Sequence, residues 1–152
     1  MTTMTTALTE VLNDLIKINN DRITGYKKAA EESKAIDADL VTIFNRMADE
    51  SRAYVVALTE RVNALGGQSE SGHTAMGRLY QAWMDIKATF TGKDRKAILA
   101  SCEYGEDAAQ KAYKDALATE VDLDTETRQL IAEQKASLKK SHDLIKKYRD
   151  VN

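Results

Sequence analysis

The stretch LTEVLNDLIKINNDRITGYKKAA, residues 8–30, decides the fold. Its seam runs Leu8, Leu12, Leu15, Asn19, Arg22, Tyr26, Ala29, with steps that alternate between four and three residues. That alternation keeps one stripe of a helix turned towards its neighbours in a bundle, so a long helix is expected from about Thr5 to Ser33. The middle of the stripe is unusual. Where the most enclosed positions should be apolar, the seam carries the amide of Asn19 and the guanidinium of Arg22, residue types that are rarely buried without partners.

The same period recurs downstream. Asp37 is a candidate N-cap for a second helix with the seam Leu40, Phe44, Met47, Ser51, Tyr54, Leu58 and Leu65, which stops at Gly66-Gly67. After the loop GGQSESG, the residues Met76, Leu79, Trp83, Ile86 and Phe90 mark a shorter helix over about 72–91 that ends at Gly92. Asp94 can cap the next, with the seam Leu99, Cys102, Glu106, Ala109, Tyr113 and Ala116. TEVDLDT separates it from the last seam, Ile131, Gln134, Leu138, Ser141, Ile145 and Tyr148. No proline interrupts the 152 residues, as long helices require, and the chain reads as all-α.

Tight turns make the first two and the last two long helices antiparallel hairpins. The shorter helix, about 28 Å long at 1.5 Å per residue, can carry the chain back along the bundle between them. The expected architecture is therefore a ferritin-like four-helix bundle with a helical crossover between its second and third helices, residues 1–152 forming one domain. A five-helix up-and-down bundle is the rival.

In that architecture all four long helices turn polar at one height. Asn19, Arg22 and Tyr26 come from the first, Glu50, Ser51 and Tyr54 from the second, Glu106 from the third, and Gln134 with Ser141 from the last. In di-metal bundles this height holds one Glu from each of two helices and a Glu-x-x-His pair from each of the other two. Here Ala53 follows Glu50 by three residues and Ser137 follows Gln134, so neither histidine is present. The expected layer is a buried polar network in which Arg22 supplies the positive charge and Glu106 or Glu50 accepts its fork of donors. The alternative is a metal site, for iron or another divalent ion, built from Glu50, Glu103 and Glu106.

Other chemistry finds little support. Twenty-two Lys and Arg against 24 Asp and Glu give a net charge of −2, which offers no basic field for nucleic acid. No run of membrane-spanning length or secretory pattern occurs, and a lone Cys102 cannot form an internal disulfide, so a cytoplasmic location is expected. Cys102 reads as a small buried hydrophobe. His142 reads as an exposed or cap-associated residue, and His73 lies at a loop-to-helix junction. Tyr80, Trp83, Met84 and Phe90 give the crossover more apolar surface than one packing stripe needs, which points to a homo-oligomer.

LNDLIKINNDRITGYKKAAEE (12–32), CEYGEDAAQKAYKDAL (102–117) and KKSHDLIKKYRD (139–150) together resemble a bacterial family of about this length, uncharacterised four-helix-bundle proteins of the ferritin-like superfamily. The resemblance implies the fold and a cytoplasmic character. It carries over no catalytic residues, since the family has no established activity. The superfamily's di-iron pattern would fall on Arg22, Glu50, Glu106 and Gln134, and only Glu50 and Glu106 match it. The expected function is that of a non-enzymatic structural, interaction or stress-associated protein without a cofactor, with a metal-binding or di-iron redox protein as the alternative.

Overall fold

The structure, a computed structural model, describes residues 2–69, 95–120 and 122–150. Among them are four helices: α1 (Thr2–Ser33), α2 (Ala38–Ala64), α3 (Arg95–Leu117) and α4 (Thr125–Asp150). At 1.5 Å per residue they span roughly 35 to 48 Å, so all four can reach past a common midpoint. The expected crossover helix over 72–91, the cap at Asp94, His73 and the apolar set Tyr80, Trp83, Met84 and Phe90 lie outside the described residues.

The ends of α2 show why it starts and stops where it does. Asp37 holds an extended backbone and its carboxylate accepts from the Asp39 amide at 2.9 Å, satisfying a first-turn donor that has no partner inside the helix. At the other end Gly66 takes φ 83°, the left-handed conformation that glycine adopts without steric cost. The Gly66 amide then reaches Asn63 O at 3.0 Å and the Gly67 amide reaches Val62 O at 3.0 Å, the paired bonds of a Schellman termination. Gly67 also lies hard against α1, where a Cβ would come within 2.6 Å of the Thr9 methyl.

Cross-links fix the topology. Asn19 meets Tyr113 and Arg22 meets Glu106, so residue numbers fall along α3 as they rise along α1, and the two run antiparallel. α1 and α2 form a hairpin, hence α2 and α3 are parallel. Arg61 at the end of α2 binds Asp124, Glu126 and Thr127 beside the start of α4. At the opposite end Arg95, the first residue of α3, binds Asp37 and the Tyr148 carbonyl. Residues 69 and 95 thus sit at opposite ends of the bundle, and the four helices pack against one another in the ferritin-like order.

Among the described residues the core has two apolar parts. One gathers Tyr26, Leu40, Phe44, Ile98, Leu99 and Ile145; the other gathers Leu12, Leu15, Leu58, Val62, Ile131 and Leu138. The seam of α1 contributes to both, and between them it places Asn19 and Arg22, each with no solvent exposure.

Candidate functional site

Among the described residues Arg22 is the largest side chain that is fully enclosed. A guanidinium has five N–H donors in a planar fork, and every one of them meets an oxygen here. Nε and Nη2 donate to Glu106 Oε2 at 3.2 and 2.8 Å. Nη1 donates to Ser51 Oγ at 2.7 Å and to the Met47 carbonyl at 3.2 Å. The second Nη2 hydrogen goes to Glu50 Oε1 at 2.9 Å, and the Arg22 Cζ lies 5.1 Å from the centre of the Tyr26 ring. Burial alone would depress the guanidinium's pKa, but Glu106, Tyr26 and Glu50 around it hold it well above its ordinary value. Arg22 is a fixed cation.

The network continues to the other helices. Ser51 donates to Asn19 Oδ1 at 2.9 Å, Asn19 Nδ2 donates to Tyr113 Oη at 2.8 Å, and Tyr113 donates to Gln134 Oε1 at 2.6 Å. Gln134 reaches the Tyr54 carbonyl, and Ser141 donates to Glu50 Oε1 at 2.8 Å. Tyr26 donates to Glu106 Oε2. One connected set of side chains therefore links α1, α2, α3 and α4 across the middle of the bundle.

Burial first, and Glu106 second, raise the Tyr26 phenol well above its ordinary range, so it stays a donor. Burial likewise raises Tyr113, and pushes Tyr54 up to about 12. Glu106 is fully buried, and its Oε1 has no hydrogen-bond partner among the described residues, in contrast to the three donors on its Oε2. The Tyr54 hydroxyl meets no partner at full hydrogen-bond geometry among the described residues, although Ser137 and Glu50 lie near enough to influence its pKa.

The structure brings Asn19, Arg22, Tyr26, Glu50, Ser51, Glu106 and Gln134 together by direct contacts, while Tyr54 joins through its backbone carbonyl. Where the sequence left open whether Glu106 or Glu50 pairs with Arg22, both do. Glu103 goes elsewhere: it pairs with Arg149 of α4, away from Glu50 and Glu106. Among the described residues no three His, Cys, Asp or Glu side chains cluster as metal ligands would. Cys102 is buried in the apolar part of the core. His142 departs from its reading as an exposed or cap residue, for it sits mid-helix and its side chain keeps only 19% of its exposure, against Asp107.

Tyr113 is the member that the sequence reading missed. A tyrosine on a buried seam seats its ring like any aromatic, but the hydroxyl needs a partner when enclosed, and that need is the signal that could have placed it in the layer. Tyr113→Phe should leave the Gln134 carbonyl without its donor and cost about 1–3 kcal/mol in urea unfolding. A loss within about 0.5 kcal/mol of zero would mean that the Asn19–Tyr113–Gln134 link contributes little.

Helix order, parallel α2 and α3, and a polar layer at mid-height define the class as a ferritin-like α-helical bundle. The family model described as a domain of unknown function, DUF2383, matches residues 7–119, and the chain belongs to that family. A solved structure of a mutant of Dps1 from Mycobacterium smegmatis is similar in fold, with a TM-score of 0.78 at 13% identity, over 98% of this chain and 99% of that one. No curated protein matches the chain in sequence. No helix among the described residues is long and apolar enough to cross a membrane.

Proposed function

We propose that this is a non-enzymatic ferritin-like protein with a structural, interaction or stress-associated role in the bacterial cytoplasm, in which Arg22 supplies the charge that a di-metal centre would supply. The observation that carries the reading is the saturation of Arg22, whose five N–H groups all meet oxygens at the height where metal ligands would converge.

The donor set does not suit a pair of divalent ions. Glu50 Oε1 and Glu106 Oε2 are already committed to Arg22, and a guanidinium between them would repel any cation placed there. Gln134 is neutral, and the histidines that would complete the set are replaced by Ala53 and Ser137. Glu106 Oε1, a buried carboxylate oxygen with no hydrogen-bond partner among the described residues, is a single ligand and no chelate.

A layer of this kind gives specificity more than stability. Leu and Ala seams slide at small cost, whereas a hydrogen-bonded layer can be satisfied in only one register. The function then lies in presenting a rigid helical surface. The expected partner is a second copy of the chain, which sedimentation at high concentration tests by showing a species larger than the monomer.

The absence of di-iron chemistry is tested by adding ferrous iron to the purified protein in air. Oxidation at the rate of buffer alone is the expected result. A protein-dependent acceleration that vanishes in Glu106→Gln would establish the alternative, a di-iron redox protein using the mid-bundle carboxylates.

A further inference from the structure

On the outer side of the buried layer, where Asp107 follows Glu106 and His142 follows Ser141, the α3–α4 seam carries a second polar constellation. His142 Nε2 lies 2.6 Å from Asp107 Oδ1 on α3, and its Nδ1 lies 3.2 Å from Asp143 Oδ1 on its own helix. Both ring nitrogens therefore face carboxylate oxygens. A neutral imidazole has one N–H and one lone pair, so one of these contacts would set a lone pair against an anion. Only the imidazolium donates to both.

We infer that His142 is a proton-operated clasp, closing α4 onto α3 at the height of the Arg22 layer when its ring is protonated and weakening its hold on Asp107 when the loss of the proton removes the charge from that bond.

The surroundings favour the charged form. Burial by itself would depress the imidazole, but the bonds to Asp143 and Asp107 outweigh it and hold the pKa above its ordinary value. Asp143 is shared with Lys139 at 3.2 Å, which leaves Asp107 as the partner that crosses between helices. One turn from Asp107 on α3, Glu103 is taken by Arg149. α2 sends Glu50 to the neighbouring Ser141 and not to the ring. Because the folded-state pKa is raised, the clasp's stabilisation is complete below the unfolded histidine's pKa and is lost as pH rises through the folded value. Ser141 is adjacent in sequence and donates into the buried network, so the weaker bond of the neutral ring loosens α4 where it meets the layer.

The test is a proton NMR titration of the histidine rings, with His142→Gln used to tell His142 from His73, together with amide exchange along α4. Three results are expected: a His142 midpoint above 6.5, a fall of that midpoint in Asp107→Asn, and protection near Ser141 that drops across the same pH interval in the wild type but not in Asp107→Asn. Asp107 is an exposed residue, so Asp107→Asn is expected to fold. A midpoint at or below 6.5, a midpoint indifferent to Asp107→Asn, or protection near Ser141 that shows no step after correction for intrinsic exchange would each overturn the clasp.

Discussion

Arg22→Ala is expected to lower the free energy of unfolding by about 3–5 kcal/mol, the cost of removing one partner from a fully enclosed ion pair. The magnitude follows from what is left behind. Glu106 has no solvent exposure and would keep only the Tyr26 hydroxyl, while Ser51 and the Met47 carbonyl would lose their donor. A buried carboxylate without a counter-charge is among the most expensive groups a core can hold. Glu50 would suffer less, being 27% exposed and still bonded to Ser141. Urea unfolding of the variant against the wild type measures the loss. A change below about 1 kcal/mol, the value of exposed pairs, would mean that water reaches the layer and that Arg22 is not its structural cation.

The second large effect is a recovery. Glu106→Leu alone strands the Arg22 charge with only Glu50 opposite and should cost about as much as Arg22→Ala, roughly 3–5 kcal/mol. Arg22→Met combined with Glu106→Leu removes both charges and fills the space with apolar side chains, a replacement that is often neutral or stabilising in other buried pairs. The double variant should therefore regain most of the loss, leaving a coupling energy of several kcal/mol in a double-mutant cycle. The recovery should be incomplete, because Glu50, Ser51 and Tyr26 each lose a partner that neither Met nor Leu replaces. Strict additivity of the two single losses would show that Arg22 and Glu106 are stabilised independently. Register is the expected casualty: the double variant should show looser protection of mid-helix amides even where its stability is restored.

The parts of this architecture that were legible in the sequence are those encoded locally. The alternating seam of α1 specifies a bundle helix because a chain turning once every 3.6 residues returns to the same face at steps of three and four. Gly66-Gly67 marks a stop because the last carbonyls of a helix need a left-handed residue to close over them. Asn19, Arg22, Ser51, Glu106 and Gln134 announce a polar layer because polar side chains stand on seam positions at similar heights. What stayed hidden depends on side-chain direction. Glu103 and Glu106 are three residues apart on α3, yet Glu106 faces Arg22 and Glu103 faces Arg149, a partner 46 positions away. Tyr113 looked like ordinary core because its ring behaves as one. His142 stands one residue past the seam, and its two carboxylates come from different helices, so spacing along α4 could not reveal the pair.

Arg22 is the cation that Glu50 and Glu106 face in the layer. The most direct measurement is metal content by mass spectrometry after the purified protein has been incubated aerobically with ferrous iron and desalted. The expected result is no retained metal above the level of a protein without a metal site, with Glu50 and Glu106 held by the guanidinium. Retention of about two irons per chain, the stoichiometry of a di-iron bundle, would contradict it and make the mid-bundle carboxylates the anchors of a metal centre.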